Sequence, residues 1–336
     1  MQPVVSIIVP ARNEEATIRR CLESLLAQDG IPFEIIVVND DSRDSTRAIA
    51  LEYLNLRTLD AGPVLTGWSG KANALVTALP CASGEWLLFT DADTFHLPGS
   101  LKLALREAES FKVDMLSYSP AQEVNGVTKR GVMAVIFAEL SSQYPSNLVN
   151  DPKVDVAAAN GQYLLIRRAA YDAVGGHAAV AASLLEDVEL AKLLKAGGYP
   201  IRFRFGGEAV HSEMYRTWPA LIEGWTKNLA LLFPQPLVLA AFRATEFCAI
   251  LWLVCRFVIE VRAGIAGTGF LDGVAALLLI ASFSHRIKQS HADCSLIEAF
   301  LGLPVFAALL IRSYIHLRVK RSVQWKGRAY FSSWPK

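Results

Sequence analysis

Residues 5–41, VSIIVPARNEEATIRRCLESLLAQDGIPFEIIVVNDD, decide the fold. An apolar run from Val4 to Val9 stops at Pro10, the pattern of a buried strand. Asn13 then stands where a helix cap belongs, Glu14 and Glu15 suit the positive end of that helix, and Gly30 marks its end. Phe33 to Val38 forms a second apolar run that leads directly into Asn39, Asp40, Asp41 and Ser42. Strand, helix and strand in this order make a parallel unit, and the polar cluster falls at a carboxyl edge, where open α/β sheets bind ligands.

The same alternation continues outward. Leu56 to Ala61 reads as a strand, Lys71 to Leu79 as a helix, and Glu85 to Thr90 as a strand that delivers Asp91 and Asp93. A helix is expected from Pro98 to about Ser110, then a strand over Asp114 to Ser119. Residues 120–215 are less regular, with Gln162 to Ile166 as a strand and Leu185 to Ala196 as a helix closed by Gly197 and Gly198. Ile201 to Phe205 and Ala209 to His211 complete the pattern as short strands. The expected fold class is therefore α/β, a mostly parallel sheet flanked by helices, over a first domain of residues 1–228.

Composition shifts near Asn228. The chain has 336 residues, of which 52% are hydrophobic and 19% charged, too apolar for a disordered protein. Charge is absent from Asn228 to Phe242, from Phe247 to Cys255 and from Ala299 to Ile311, and Asp272 is the one acid between Ala263 and His285. Residues 229–336 are thus expected to form a membrane-associated helical region. Basic Arg286, Lys288 and Arg312 to Arg328 favour a hairpin that leaves through Leu237 to Ile259 and returns through Ile265 to Phe283, with the catalytic part on the cytoplasmic side of an inner membrane. Gly302, Leu303 and Pro304 interrupt the last apolar segment, which reads as re-entrant or interfacial.

Lys and Arg number 33 against 32 Asp and Glu, a net charge of +1 that argues against a nucleic-acid partner. Cys21, Cys81, Cys248, Cys255 and Cys294 form no close pair and fit reduced thiols. Pro3 leads straight into a strand without a basic leader, so no secretory signal is expected.

Asp91, Ala92 and Asp93 at a strand end offer two carboxylates to a divalent cation that bridges phosphate oxygens, and hard oxygen ligands favour Mg2+ or Mn2+. Alone, such a triplet is equally an Asx turn. Lys71 follows Gly70 at a helix start, where its ammonium and the helix amides both suit a diphosphate, or it faces solvent. Glu186 and Asp187 open a helix, where acids also simply complement the dipole.

Six ordered motifs resemble the family 2 glycosyltransferases of GT-A fold: VSIIVPARNEEATIRRCLESLLAQ, EIIVVNDDSRDST, GWSGKANAL, LLFTDADT, ANGQYLLIRRAAYDAVGG and LLEDVELAKLLKAGGYPIRF, over roughly Val5 to Asn228. The resemblance implies a nucleotide-sugar donor and an inverting transfer. It places the turn Pro10, Arg12 and Glu14 together with Asp40 at the nucleobase and ribose; Asn39 stands where many members carry a first aspartate. Lys71 and Asp91 fall to the nucleotide-sugar, Asp93 to the metal with Asp91, and His211 to the remaining coordination, although a lone histidine is as readily structural. Asp187 takes the place of the general base, Glu186 supports it, and Gly161 and Gln162 approach the sugar.

Arg216 and Trp218 lie near the position of the QxxRW signature of processive members, with Glu213 in place of the glutamine. Arg216 suits the leaving diphosphate, and Trp218 or Trp225 suits a sugar face or the bilayer interface. EGWTKN and WKGRAY look like glycosyltransferases found beside hopanoid and carotenoid pathways. The resulting expectation is transfer of one sugar, from UDP-sugar by preference, to a hydroxyl of a membrane lipid. A polyprenyl-phosphate acceptor, a processive synthase and a non-catalytic scaffold stay open. A nicotinamide oxidoreductase is opposed by PARNEEA, which lacks the GxGxxG fingerprint.

Overall fold

The computed structural model describes residues 3–264 and 266–331; Ile265, where the returning membrane segment is expected to begin, and the last five residues lie outside the described residues. In chain order the elements are β1 (Val5–Ala11), α1 (Ile18–Leu26), β2 (Phe33–Asn39), α2 (Thr46–Leu51), β3 (Arg57–Asp60), α3 (Gly70–Ala78), β4 (Trp86–Phe89) and β5 (Thr94–His96). There follow α4 (Ser100–Ser110), β6 (Met115–Ser119), β7 (Ala121–Gln122), α5 (Val127–Gln143), α6 (Ser146–Val149), β8 (Leu164–Arg167), α7 (Arg168–Ala173), α8 (Gly176–Ala179) and α9 (Glu186–Ala196). The chain ends with β9 (Ile201–Phe205), β10 (Val210–Ser212), α10 (Trp218–Leu232), α11 (Pro236–Arg262), α12 (Ala266–Lys288), α13 (Leu296–Tyr314), β11 (Ser322–Trp325) and β12 (Arg328–Phe331).

Two compact units emerge, one of residues 1–123 with 144–214 and one of residues 124–143 with 215–336. The first holds a seven-stranded sheet in the order β3-β2-β1-β4-β8-β6-β9. β3, β2, β1 and β4 pair in parallel, β8 runs antiparallel between β4 and β6, and β9 is parallel to β6. Ile7, Ile8 and Val9 of β1 are fully buried on both faces, which is why this strand reads as unbroken apolar sequence. Helix α1 buries Ile18, Cys21, Leu22 and Leu25, the i, i+3, i+4, i+7 spacing of one helical face. A small sheet, β5-β10-β7, completes the unit.

Helix α1 begins at Ile18, later than the cap expected at Asn13. The physical reason is local: Asn13 sits at φ 52°, and its carboxamide oxygen accepts the Arg43 amide at 2.9 Å. The amides of Glu14 and Glu15 then donate to Thr46 Oγ1 and Asp44 Oδ2, so the turn is stitched to the loop after β2 before any helix starts. Part of that loop does cap: Asp44 Oδ1 accepts the Thr46 amide at the start of α2.

The second unit is helical. Three of its helices, Pro236–Arg262, Gly269–Lys288 and Leu296–Val319, are long and apolar enough to cross a membrane. Helix α5, not foreseen in the sequence, packs on α13 in the same unit. A Cβ built at Gly131 or Gly302 would meet the other helix's backbone closer than 3 Å, so the two helices cross at these glycines. Gly302 and Pro304 therefore do not interrupt the last segment, which runs as one helix. Composition shifts at 228, but that residue falls inside α10, which belongs with the helices after it.

Candidate active site

The parallel strands β1, β2 and β4 bring Pro10, Asp40 and Asp91 to one edge of the sheet. Because β8 is antiparallel, its start lies at that same edge, and this is what delivers Gly161 and Gln162 there. Thr90 Oγ1 donates to the Gln162 carbonyl at 2.8 Å and ties the two strand ends together. Helices α3 and α9 add their first turns, with Lys71 on one and Glu186 and Asp187 on the other. A cleft is lined by Pro10, Lys71, Asp91, Gly161, Glu186 and Asp187, with His177 in the same wall.

Lys71 is the centre of this cluster. Its Nζ lies 2.7 Å from Asp91 Oδ1 and 3.0 Å from Glu186 Oε1. Burial works to lower its pKa, but Asp91, then Glu186 and Asp187, outweigh that and hold the ammonium well above the ordinary lysine value. Ser69 places the residue by capping α3, its hydroxyl accepting the Ala72 amide at 3.1 Å.

Asp187 is held differently. Its Oδ2 accepts the Gly161 amide at 2.7 Å and Oδ1 accepts the Val188 amide at 2.8 Å. Burial, reinforced by Glu186, nevertheless pushes its pKa up to about 6, against the pull of Lys71 and these two amides. A Cβ at position 161 would sit 2.9 Å from Lys71 Nζ, so a side chain there would push the ammonium out of its place beside Asp187.

Residues 6–175, half of the chain, match the family described as Glycosyl transferase family 2. The chain belongs to that family. It is 26% identical to a 4,4'-diaponeurosporenoate glycosyltransferase of Staphylococcus aureus (strain MRSA252) over 97% of this chain and 88% of the relative. Identity is 27% to the protein of that name in Staphylococcus haemolyticus (strain JCSC1435), with the same coverage. Among solved structures, the mannosyltransferase PcManGT of Pyrobaculum calidifontis, in complex with GDP-Man and Mn2+, superposes with a TM-score of 0.51 at 19% identity, over 96% of this chain and 88% of that one. The mixed sheet of this glycosyltransferase is thus the GT-A architecture expected from its motifs.

The remaining expected residues of the glycosyltransferase fall in several places. Asp40 is buried at the end of β2, its amide bonded to the Ala11 carbonyl, while Arg12 Nη1 donates to the Asp40 carbonyl at 2.6 Å. Glu14 accepts the Thr17 hydroxyl at 3.0 Å. Asn39, in place of an aspartate, donates to Asp60 Oδ1 at 2.8 Å and accepts the Ser42 amide. A carboxylate at 39 would face Asp60 with like charge, so the amide is the fitting group.

Asp91 also forms the turn that its triplet allows, its carbonyl accepting from the Thr94 hydroxyl and amide. The Asp93 carbonyl accepts the Glu213 amide at 3.1 Å. His211 has Nδ1 3.2 Å from Glu123 Oε1 and Nε2 2.9 Å from the Gly207 carbonyl. Among the described residues no three His, Cys, Asp or Glu side chains converge as a metal cluster, so Asp91, Asp93 and His211 are not gathered into one ligand set. Gln162 is 3% exposed and donates to Ser212 Oγ, which makes it a brace of the strand ends.

Arg216 and Trp218 belong to the helical unit. The Arg216 carbonyl accepts Lys129 Nζ at 2.6 Å, and Trp218 opens α10 half-exposed. Trp225, in contrast, is 3% exposed, with its indole N–H on Met133 Sδ and its ring against Tyr215 and Phe137. It is a core residue, available neither to a sugar nor to a lipid interface.

His177 was not foreseen. The sequence signal was the pair Gly175-Gly176 just before it, which marks a left-handed turn but says nothing of the histidine behind it.

Proposed function

We propose that this glycosyltransferase moves one sugar from a nucleotide-sugar, a UDP-sugar by preference, to a hydroxyl of a membrane lipid, with inversion at the anomeric carbon. The observation that carries the reading is the pairing of two opposite groups in one cleft: the fixed ammonium of Lys71 and the half-buried carboxylate of Asp187 with its pKa near 6. An ammonium suits the diphosphate, and a carboxylate whose pKa approaches neutrality suits proton abstraction.

Asp187 accepts the proton of the acceptor hydroxyl while the freed oxygen pair forms a bond to the anomeric carbon. The bond from that carbon to the phosphate oxygen breaks on the opposite face, and the nucleoside diphosphate leaves with the electron pair. Lys71 turns from Asp91 to the departing charge. The Gly161 amide keeps Asp187 oriented throughout. Asp40 and the turn Pro10, Arg12 and Glu14 hold the base and ribose, with Gln162 bracing the wall.

Asp91 and Asp93 offer oxygen donors alone, the chemistry of Mg2+ or Mn2+, which is commonly held by one or two carboxylates with substrate phosphates and water filling the rest. Held by Asp91 and Asp93, such an ion would neutralise diphosphate charge. His211 enters this set only by giving up Glu123 and the Gly207 carbonyl.

Support for a lipid acceptor comes from the three long apolar helices and from relatives named for a diaponeurosporenoate. A carboxylate acceptor is already an anionic nucleophile, so the pKa of Asp187 favours a hydroxyl. The proposed setting is the cytoplasmic face of the inner membrane, with residues 1–228 carrying the catalysis and 229–336 the membrane association.

The test is full-length protein in vesicles loaded with extracted lipids, supplied with labelled UDP-glucose or GDP-mannose and Mn2+. Label entering the lipid phase, and lost with excess EDTA, is the expected result. Hydrolysis without lipid product, or undiminished transfer in EDTA, overturns the acceptor or the metal part respectively.

A further inference from the structure

His177 lies in the wall of the cleft beside Glu186 and Asp187 and is 1% exposed. Tyr171 holds it twice: the phenol oxygen accepts the His177 amide at 2.9 Å and stands 3.0 Å from Nδ1. An oxygen that already accepts the amide has its own proton to give, and burial keeps that phenol protonated by raising its pKa. Nδ1 is therefore the acceptor of the Tyr171 O–H. Burial pushes the imidazole pKa down to about 4, so the ring is neutral at pH 7 and its one proton resides on Nε2.

The surroundings are built to keep this arrangement. Gly176 has φ +54°, and a Cβ there would lie 2.3 Å from the Tyr171 ring, so glycine alone lets the phenol reach the histidine. The Phe89 ring meets the imidazole edge-on at 4.5 Å and fixes its plane.

We propose that His177 is a specificity-determining residue whose Nε2–H donates to one hydroxyl of the transferred sugar. This rests on the reading of the cleft as a nucleotide-sugar site. A sugar set between the diphosphate at Lys71 and the base at Asp187 presents its ring hydroxyls to the wall that holds His177. A neutral donor with a fixed tautomer discriminates an equatorial from an axial hydroxyl without attracting the diphosphate, as a cation would.

The experiment measures kcat/KM of the full-length protein for the nucleotide-sugar that supports its turnover and for the monodeoxy analogues of that sugar. With the natural protein, one analogue is expected to fall about 10- to 100-fold below the parent. His177→Phe keeps a ring against Phe89 and should lose the same factor with the parent sugar, but treat parent and that analogue alike. Tyr171→Phe leaves the ring in place and frees Nδ1, and should give an intermediate loss confined to that analogue's position; it stands in should His177→Phe fail to fold. His177→Gln, which restores an amide donor, should recover part of the discrimination. Equal losses across all donors, or unchanged discrimination in every variant, overturn the inference while leaving the transferase reading intact. Failure of every nucleotide-sugar to bind the natural protein overturns both.

Discussion

Asp187 accepts two backbone amides, and still its pKa stands near 6 because burial and Glu186 both disfavour the charged form. The sign of the consequence follows. A base works when ionised, so transfer should be level above pH ~7 and fall as the pH drops through about 6; kcat measured across pH 5 to 8 checks it. Stability runs the other way, since a folded carboxyl with a raised pKa favours the protonated form and the fold loses that contribution as pH rises toward 6. Asp187→Asn should thus lower kcat by roughly 10² to 10⁴ with donor affinity little changed, while the thermal midpoint at pH 7 holds or rises. Loss of donor binding in that variant would move Asp187 to the nucleotide side. Most of these residues were legible in the sequence because their motifs end strands or begin helices, where backbone geometry dictates what a side chain faces. Trp225 was not, since an aromatic looks the same in sequence whether a core or a ligand receives it.

Elements were legible where burial was one-sided or where strands ended in polar clusters. Helix α5 escaped because residues 131–136 are apolar on every side, so no periodic stripe separates it from a strand or a loop. Its charged residues are buried too: Glu139 pairs with Arg243 at 2.8 Å and Arg286 at 3.0 Å, and Glu246 joins the same two arginines at 3.0 and 2.7 Å. Two acids and two bases thus close a neutral ring across α5, α11 and α12. Removing one member strands a buried charge, and Arg243→Met should cost about 3 to 5 kcal/mol, read as a fall in the thermal midpoint in detergent. Gly302→Leu should be at least as damaging as ordinary overpacking, about 1 to 3 kcal/mol, because backbone and not side chain blocks the added atoms. If either variant unfolds with the natural protein, the crossing or the ring contributes nothing.

At the scale of the molecule, the helical unit carries three helices long and apolar enough to cross a membrane. Trp252, Ile259, Phe270 and Leu278 are all more than half exposed, and a chain that left them in water would aggregate. The full-length protein should stay with membrane vesicles through washes at high salt and at alkaline pH; release by either wash would leave the helices peripheral. The interleaving of the units also bears on truncation. A cut after residue 227 falls inside α10 and leaves α5 without α13, so the shortened protein is expected to elute as aggregate in gel filtration.

That same interleaving sets a timetable. Helix α5 leaves the ribosome about 170 residues before α13 does, which at ~5 to 20 residues per second is a wait on the order of ten to thirty seconds. Throughout that interval Gly131 and its apolar neighbours have no α13 to cross, and the nascent chain must be sheltered by a chaperone or by the insertion machinery until the last helix arrives.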